Sequence, residues 1–249
     1  MKVHRTPPFT FNVCDSYEEL SERTADFLVS RVREKPDLVL CTASGSTPQG
    51  TYDQLVEKIR REGLDTTRLT IVKLDEWLDL DRGGDGTCEA QLVEQLVRPL
   101  ELRREQYVSF DSEPDDPQAE SVRVRNLLLD GLHIDIAVLG LGRNGHIGFN
   151  EPGDTLSSYC HVTPLSRQSL EHPMVRDSSV LPSRGITLGM GDILRAHEIV
   201  LLVNGPEKAA QMKQLVTGGV TTHFPASFLS LHGNVHCYCD REAVTLLQD

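Results

Sequence analysis

The sequence predicts an α/β protein with one doubly wound, mostly parallel sheet and helices on both faces. Two observations carry that expectation. Short β-rich apolar runs alternate with amphipathic helical patterns along the chain, which is how parallel sheets are built. The run at 134–139 is of the apolar, β-branched kind that forms a strand buried on both faces, and further strands are read at 37–42, 69–74 and 199–203. With 249 residues and no repeat, low-complexity tract or linker, the chain reads as a single domain over 1–249.

The elements follow in order. Ser16-Tyr17-Glu18-Glu19 is a capping box that opens a helix to about Arg33. The strand at 37–42 leads through Ala43-Ser44-Gly45-Ser46-Thr47-Pro48 into a helix ending near Arg61. The strand at 69–74 ends in Asp75-Glu76-Trp77, and Thr87 caps a helix to about Arg98. Asp116-Pro117 begins another helix, with Gly131 just past its end. The central strand, 134–139, runs into Gly140, Gly142 and Gly145. From Asp154 to Ser183 the chain is polar and irregular, which predicts a lid or binding loop over 154–184. A strand at 186–188, a short helix near Asp192 and the strand at 199–203 follow. Asn204-Gly205-Pro206 opens a helix to about Val216, and a short helix from Pro225, a strand at 235–238 and a helical end complete the chain.

Chemistry gathers at the carboxyl ends of strands, where open α/β sheets bind ligands. After 134–139 come His146 and Glu151, an imidazole and a carboxylate in a stretch too glycine-rich to be a packed helix. Gly140, Gly142 and Gly145 match the spacing of a dinucleotide fingerprint, but Pro152-Gly153 cuts off the long helix that motif needs, so NAD is set aside. Zinc is set aside too: there is no His-Glu-x-x-His pair, and Cys237 and Cys239 alternate along a strand. Ser44, Gly45, Ser46 and Thr47 place hydroxyls and backbone N–H groups at a helix start, a natural phosphate cradle. An ordinary capping turn would look the same. Without the Gly-Lys-Ser/Thr ending of a nucleotide loop, a simple phosphate ester fits better than a nucleotide. Lys208 stands in the first turn of a helix, against the dipole's preference, and gains if an anion sits there. Arg184, just before a strand, is a weaker candidate of that kind. Of Asp75 and Glu76 only one carboxylate can face a given pocket, since successive strand side chains point opposite ways. A phosphate cradle, a lone carboxylate and a His/Glu pair suit proton abstraction beside a carbonyl or imine, with a second acid–base pair for a ring oxygen.

These residues carry a resemblance over nearly the whole chain. Ser44-Gly45-Ser46-Thr47-Pro48, Leu74-Asp75-Glu76-Trp77 and Gly142-Arg143-Asn144-Gly145-His146-Ile147-Gly148-Phe149-Asn150-Glu151-Pro152 resemble the amino-sugar-6-phosphate deaminase/isomerase family. Asp75-Glu76-Trp77 with Gly86-Thr87-Cys88-Glu89, and Asn144-Gly145-His146, resemble its galactosamine-6-phosphate branch. The resemblance implies a modified Rossmann-like sandwich without a dinucleotide, and an enzyme needing neither cofactor nor metal. It implies that Asp75 moves the proton between C2 and C1 and that His146 with Glu151 opens the pyranose ring. It also implies that Ser44–Thr47 and Lys208 hold the phosphate, with a second phosphate arginine falling at Arg176 or Arg184. The implied substrate is a hexosamine 6-phosphate: galactosamine 6-phosphate giving tagatose 6-phosphate and ammonia, or its glucosamine counterpart. Asn144 departs from the family pattern, since the glucosamine enzymes have an aspartate there to complete the ring-opening set. Ser157-Ser158-Tyr159-Cys160 replaces the basic segment tied to allosteric activation in some members, so that activation is not expected. The related 6-phosphogluconolactonases carry Asp-Glu-Arg and a different continuation after the histidine, which disfavours that activity. A sugar-phosphate sensor would need a DNA-binding helix pair and could dispense with the acids.

Composition bounds the partners. A net charge of −12 argues against nucleic acid and requires a locally positive pocket for any anionic substrate. No run of roughly 18 apolar residues exists, so no membrane span is expected. Residues 1–8 lack the apolar core of a signal peptide. Six scattered cysteines suit reduced thiols, and a cytoplasmic location is expected. Association into a homo-oligomer is compatible with the sequence and not specified by it.

Overall fold

The computed structural model describes residues 9–80, 86–172, 174–176 and 180–247. Residues 1–8, read above for a signal segment, and parts of 154–184 lie outside them. The main sheet has seven strands, all parallel where they pair: β1 (Phe9–Cys14), β2 (Val39–Thr42), β3 (Thr70–Lys73), β5 (Tyr107–Val108), β6 (Ile136–Gly140), β9 (Glu198–Val203) and β10 (Val235–Asp240), in the order β1-β10-β9-β6-β2-β3-β5. Strand β9 shows why continuous apolar runs were the right signal. Ile199, Leu201 and Val203 belong to one core, Val200 and Leu202 to the core on the opposite face, and all are buried. On the second face lie α1 (Tyr17–Glu34) and α2 (Ser46–Glu62), through Leu20, Leu28, Leu55 and Ile59. On the first lie α4 (Pro117–Leu129), α6 (Met190–Leu194) and α7 (Ala209–Thr217), through Val124, Ile193 and Met212.

Four local results refine the sequence reading. Ser16 Oγ caps α1 by accepting from Glu19 N–H, but Glu19 returns its carboxylate to the N–H of Asp15, not of Ser16. The helix capped by Thr87 is α3 (Cys88–Leu92), which widens into a π-type turn over Val93–Val97. The helix expected from Pro206 begins as a tight 3₁₀ turn, Pro206–Lys208, before α7. Strand β1 was not expected at all; it lies at the edge of the sheet, ahead of the first element read from the sequence.

A second, three-stranded antiparallel sheet adds to the single sheet expected. It consists of β4 (Asp75–Leu78), β8 (Arg184–Thr187) and β7 (His161–Pro164), in the order β4-β8-β7. Asp75-Glu76-Trp77 therefore belongs to a strand of its own and is not simply the end of the run at 69–74. The segment expected to be irregular contains β7 and a short helix, α5 (Arg167–Leu170).

The order of strands locates the site. From β2 the chain steps outward through β3 to β5, then returns to the other side of β2 at β6 and proceeds through β9 to β10. The loops after β2 and β6 diverge from adjacent parallel strands, which opens a crevice at their carboxyl ends.

Candidate active site

A cavity of about 220 Å³ occupies that crevice. Its walls include Ser44–Thr47 after β2, Asp75 and Trp77 of β4, Arg143 and His146 after β6, Asn204 and Lys208 after β9, and Ser169 and His172 from the 154–184 segment. Its size suits a small polar molecule more than a dinucleotide.

The turn after β2 is held rigidly. Gln91 of α3 clamps Gly45, accepting its N–H at 2.8 Å and donating to its carbonyl at 2.9 Å. Thr47 Oγ1 donates to Asn204 Oδ1 at 2.8 Å, tying the turn to the loop after β9. On that side Lys208 Nζ donates to the Leu141 carbonyl at 2.8 Å. Burial pushes the Lys208 ammonium down from its ordinary value; Glu207 opposes this and Arg143 adds to it. A cation disfavoured by burial and by a neighbouring cation gains from an anion beside it.

Asp75 and Glu76 divide as the strand pleat requires. Asp75 lines the cavity. Glu76 points away, accepting from Lys73 Nζ at 2.8 Å and from the backbone N–H groups of Trp77, Cys88 and Glu89 at 2.8–2.9 Å. Burial, and next the charge of Glu76, push the Asp75 carboxyl up to about 7, with Lys73 and a Cys88 contact opposing. A carboxylate in this condition is a base poised near neutrality.

The loop after β6 forms the other acid–base group. His146 Nδ1 is 3.3 Å from Glu151 Oε2, and Asn144 Nδ2 donates to that same oxygen at 2.7 Å. Asn144 Oδ1 accepts the backbone N–H of His146 at 3.0 Å. Ser169 Oγ donates to Glu151 Oε1 and lies 3.4 Å from His146 Nδ1. Burial alone would raise Glu151; the His146, Ser169 and Asn144 contacts together overcome it and hold the carboxyl down to about 2. Ionised Glu151 therefore takes Nδ1–H and leaves the Nε2 lone pair of His146 for the cavity. Two glycines make this packing feasible. A Cβ on Gly142 would lie 2.1 Å from the His146 ring, and one on Gly148, which has φ +55°, would lie 2.7 Å from Thr187 Oγ1 and 3.4 Å from Asp75 Oδ2.

The structure thus brings Ser44, Gly45, Ser46, Thr47, Asp75, His146 and Lys208 to one cavity, with Asn144 and Glu151 behind His146. It does not bring Arg184 there. Arg184 begins β8 on the surface and grips Asp79 with two hydrogen bonds, 3.0 and 2.6 Å. Its place as a basic wall residue is taken by Arg143, which lay unremarked inside the motif. Ser169 and His172 were also missed; the only signal for them was the expectation that 154–184 covers a site. Among the described residues no group of His, Cys, Asp and Glu has the arrangement of a metal site.

The chain matches the family model described as glucosamine-6-phosphate isomerases/6-phosphogluconolactonase over residues 15–237. It is 45% identical to the putative deaminase AgaI of Escherichia coli (strain K12), over 93% of this chain and 92% of that one. It is 36% identical to glucosamine-6-phosphate deaminase 1 of Bacillus subtilis (strain 168), over 94% and 97% of the two chains. Among solved structures, a monomeric glucosamine-6-phosphate deaminase superposes with a TM-score of 0.89 at 34% identity, covering 96% of this chain and all of that one.

Proposed function

The chain belongs to the glucosamine-6-phosphate isomerase/6-phosphogluconolactonase family, and on that premise we propose that it is an amino-sugar-6-phosphate deaminase with galactosamine 6-phosphate as its preferred substrate. The observation that carries the reading is the shared cavity: a raised carboxyl, Asp75, and a carboxylate-held imidazole, His146, beside a hydroxyl- and amine-lined anion pole. The preference for the galacto epimer rests on similarity to AgaI and on the motif variants.

Ser44–Thr47 and Lys208 receive the phosphate, and Arg143 adds positive charge to that wall. His146, with Nδ1–H fixed on Glu151, exchanges a proton at Nε2 between the C1 hydroxyl and the ring oxygen, which opens the ring. Asp75 then takes the C2 proton, giving an enolamine, and returns it to C1. The resulting C2 imine adds water and expels ammonia, leaving the ketose phosphate. The electron pair freed at C2 passes to the C1 carbonyl of the opened sugar, whose oxygen takes a proton to give the enolamine; as C1 is then protonated, the nitrogen lone pair forms the C2 imine. Six unpaired, buried cysteines and the absence of a membrane-crossing helix among the described residues agree with work in a reducing compartment, the cytoplasm.

Ammonia release from galactosamine, glucosamine and mannosamine 6-phosphates, and from the unphosphorylated sugars, tests the proposal. Release from galactosamine 6-phosphate with the highest kcat/KM is expected. Hydrolysis of a 6-phosphogluconolactone without ammonia from any hexosamine phosphate would overturn it.

A further inference from the structure

His172 is a titratable group in the cavity for which the mechanism above has no use. It enters from the 154–184 segment and stands over the turn after β2: its Nε2 lies 3.7 Å from where a Cβ on Gly45 would begin. Its ring centroid is 5.9 Å from that of Trp77. Nδ1 accepts the backbone N–H of Met174 at 3.3 Å. A neutral imidazole whose Nδ1 accepts carries its proton on Nε2, so a donor faces the Ser44–Thr47 turn.

The groups around it come from every wall. Lys208 follows β9, and Arg143 and His146 follow β6; burial first, and then these three, push the ring down to about 4, which favours its neutral form. The carboxylates lining the cavity are Asp75 on β4, Glu171 beside the ring in sequence and Glu207 beside Lys208.

We propose that His172 is an anion ligand whose charge follows occupancy: it receives the substrate's phosphate as a neutral Nε2–H donor and takes up a proton once the dianion is seated. This rests on the phosphate pole assigned above. The physical cause is that a dianion at Ser44–Thr47 reverses the surroundings of the ring, setting two negative charges against the cations that keep it neutral. An opposite charge at such range would raise the ring from about 4 to roughly 6. The cavity would then hold anions more tightly as pH falls through that range, with net proton uptake on binding.

The protein supplies its own reporter, because Trp77 is the only tryptophan in the chain and lies against His172. Sulfate is the probe: it is a dianion that does not titrate in the working range. Trp77 fluorescence is titrated with sulfate at about pH 8 and about pH 5.5, with proton uptake measured by calorimetry in buffers of different ionisation enthalpy. Asp75 also titrates here, so the assignment is read from the difference between the wild-type protein and His172→Gln, whose amide still donates. Wild-type affinity should be roughly fourfold higher at the lower pH, and His172→Gln should match the wild type at high pH and lose most of that gain. An undiminished gain and proton uptake in His172→Gln, with binding still dependent on Lys208, would overturn the proposal alone. Sulfate binding unaffected by Lys208→Ala would remove the phosphate pole and the proposal together.

Discussion

At Asp75, burial and the neighbouring Glu76 hold the carboxyl up to about 7, and two opposite consequences follow for one substitution. The base must be ionised to act, so kcat/KM should rise with pH through about 7, a limb that pH–rate profiles on the free enzyme will show. Asp75→Asn should remove that limb and lower turnover by about 10²–10⁴-fold. Stability should move the other way. The folded state binds the Asp75 proton more tightly than the unfolded chain, so this group's favourable contribution is complete below the unfolded value of about 4 and is lost as pH rises through about 7. Asp75→Asn should therefore melt above the wild type at alkaline pH and level with it in acid, as thermal scans can check. Position 144 gives a second test. Asn144 reaches His146 through Glu151, its amide 2.7 Å from that carboxylate. Asn144→Asp would place two carboxylates in contact, one of which must hold a proton. Its melting temperature should fall below the wild type at neutral pH, with the gap closing as the pH drops; an unchanged melting point across that range would sink the argument. That Asp75 and His146 share one cavity was readable because their residue types and their places at strand ends are chemical. Arg184 misled because a cation before a strand shows its charge in the sequence but not its partner, Asp79, 105 residues away.

Strand β4 was not visible in the sequence as an element of its own, yet it carries Asp75 and Trp77 into the cavity. Asp-Glu-Trp-Leu has two acids at its start and reads as no more than the end of the run at 69–74. It becomes a fully buried strand because β8 pairs with it and because Lys73 meets Glu76 and Glu89 from the end of β3. Tyr107 completes that cluster, donating to Glu89 at 3.0 Å. The cluster ties β3, β4, β5 and the start of α3 together directly behind Asp75, none of which local propensity could disclose. The helices, by contrast, were legible from their period, and the both-face strands from short apolar runs bounded by turn signals. Lys73→Met is the test of the element. It leaves Glu76 buried without its cation, a change that typically costs about 3–5 kcal/mol, and denaturant unfolding should show a loss of that order. Lys73 also favours the ionised form of Asp75, so in the folded variant the acid limb of kcat/KM should move to higher pH. A destabilised variant with an unmoved limb would make Lys73 structural only.

At the scale of the whole molecule, the topology and the charge distribution oppose each other. The reversal between β2 and β6 gathers the loops after β2, β6 and β9, with strand β4, into one crevice, and the strand order that produces it depends on long-range pairing invisible to any local pattern. The chain carries a net charge of −12, so on the proposed reading a phosphate dianion would approach against the global field and be held by the cations that line the cavity, Lys208 and Arg143. Salt separates the two effects. The pocket cations act over a few ångströms, within the Debye length of about 8 Å at 0.15 M and far within the roughly 30 Å at 0.01 M, so added salt weakens their attraction only slightly. Carboxylates farther off than the shorter length repel the anion chiefly at low salt, so added salt removes much of their repulsion. Inorganic phosphate should therefore bind several-fold more tightly as sodium chloride rises from about 0.01 to about 0.15 M, the reverse of a surface ion pair. Trp77 fluorescence at alkaline pH, where His172 is neutral, gives the readout. Lys208→Ala should weaken binding at every salt concentration while keeping the upward trend, because the repulsive field is unchanged. Affinity that falls steadily with salt in the wild type would mean that the pocket, not the molecule's net charge, governs the approach of the anion.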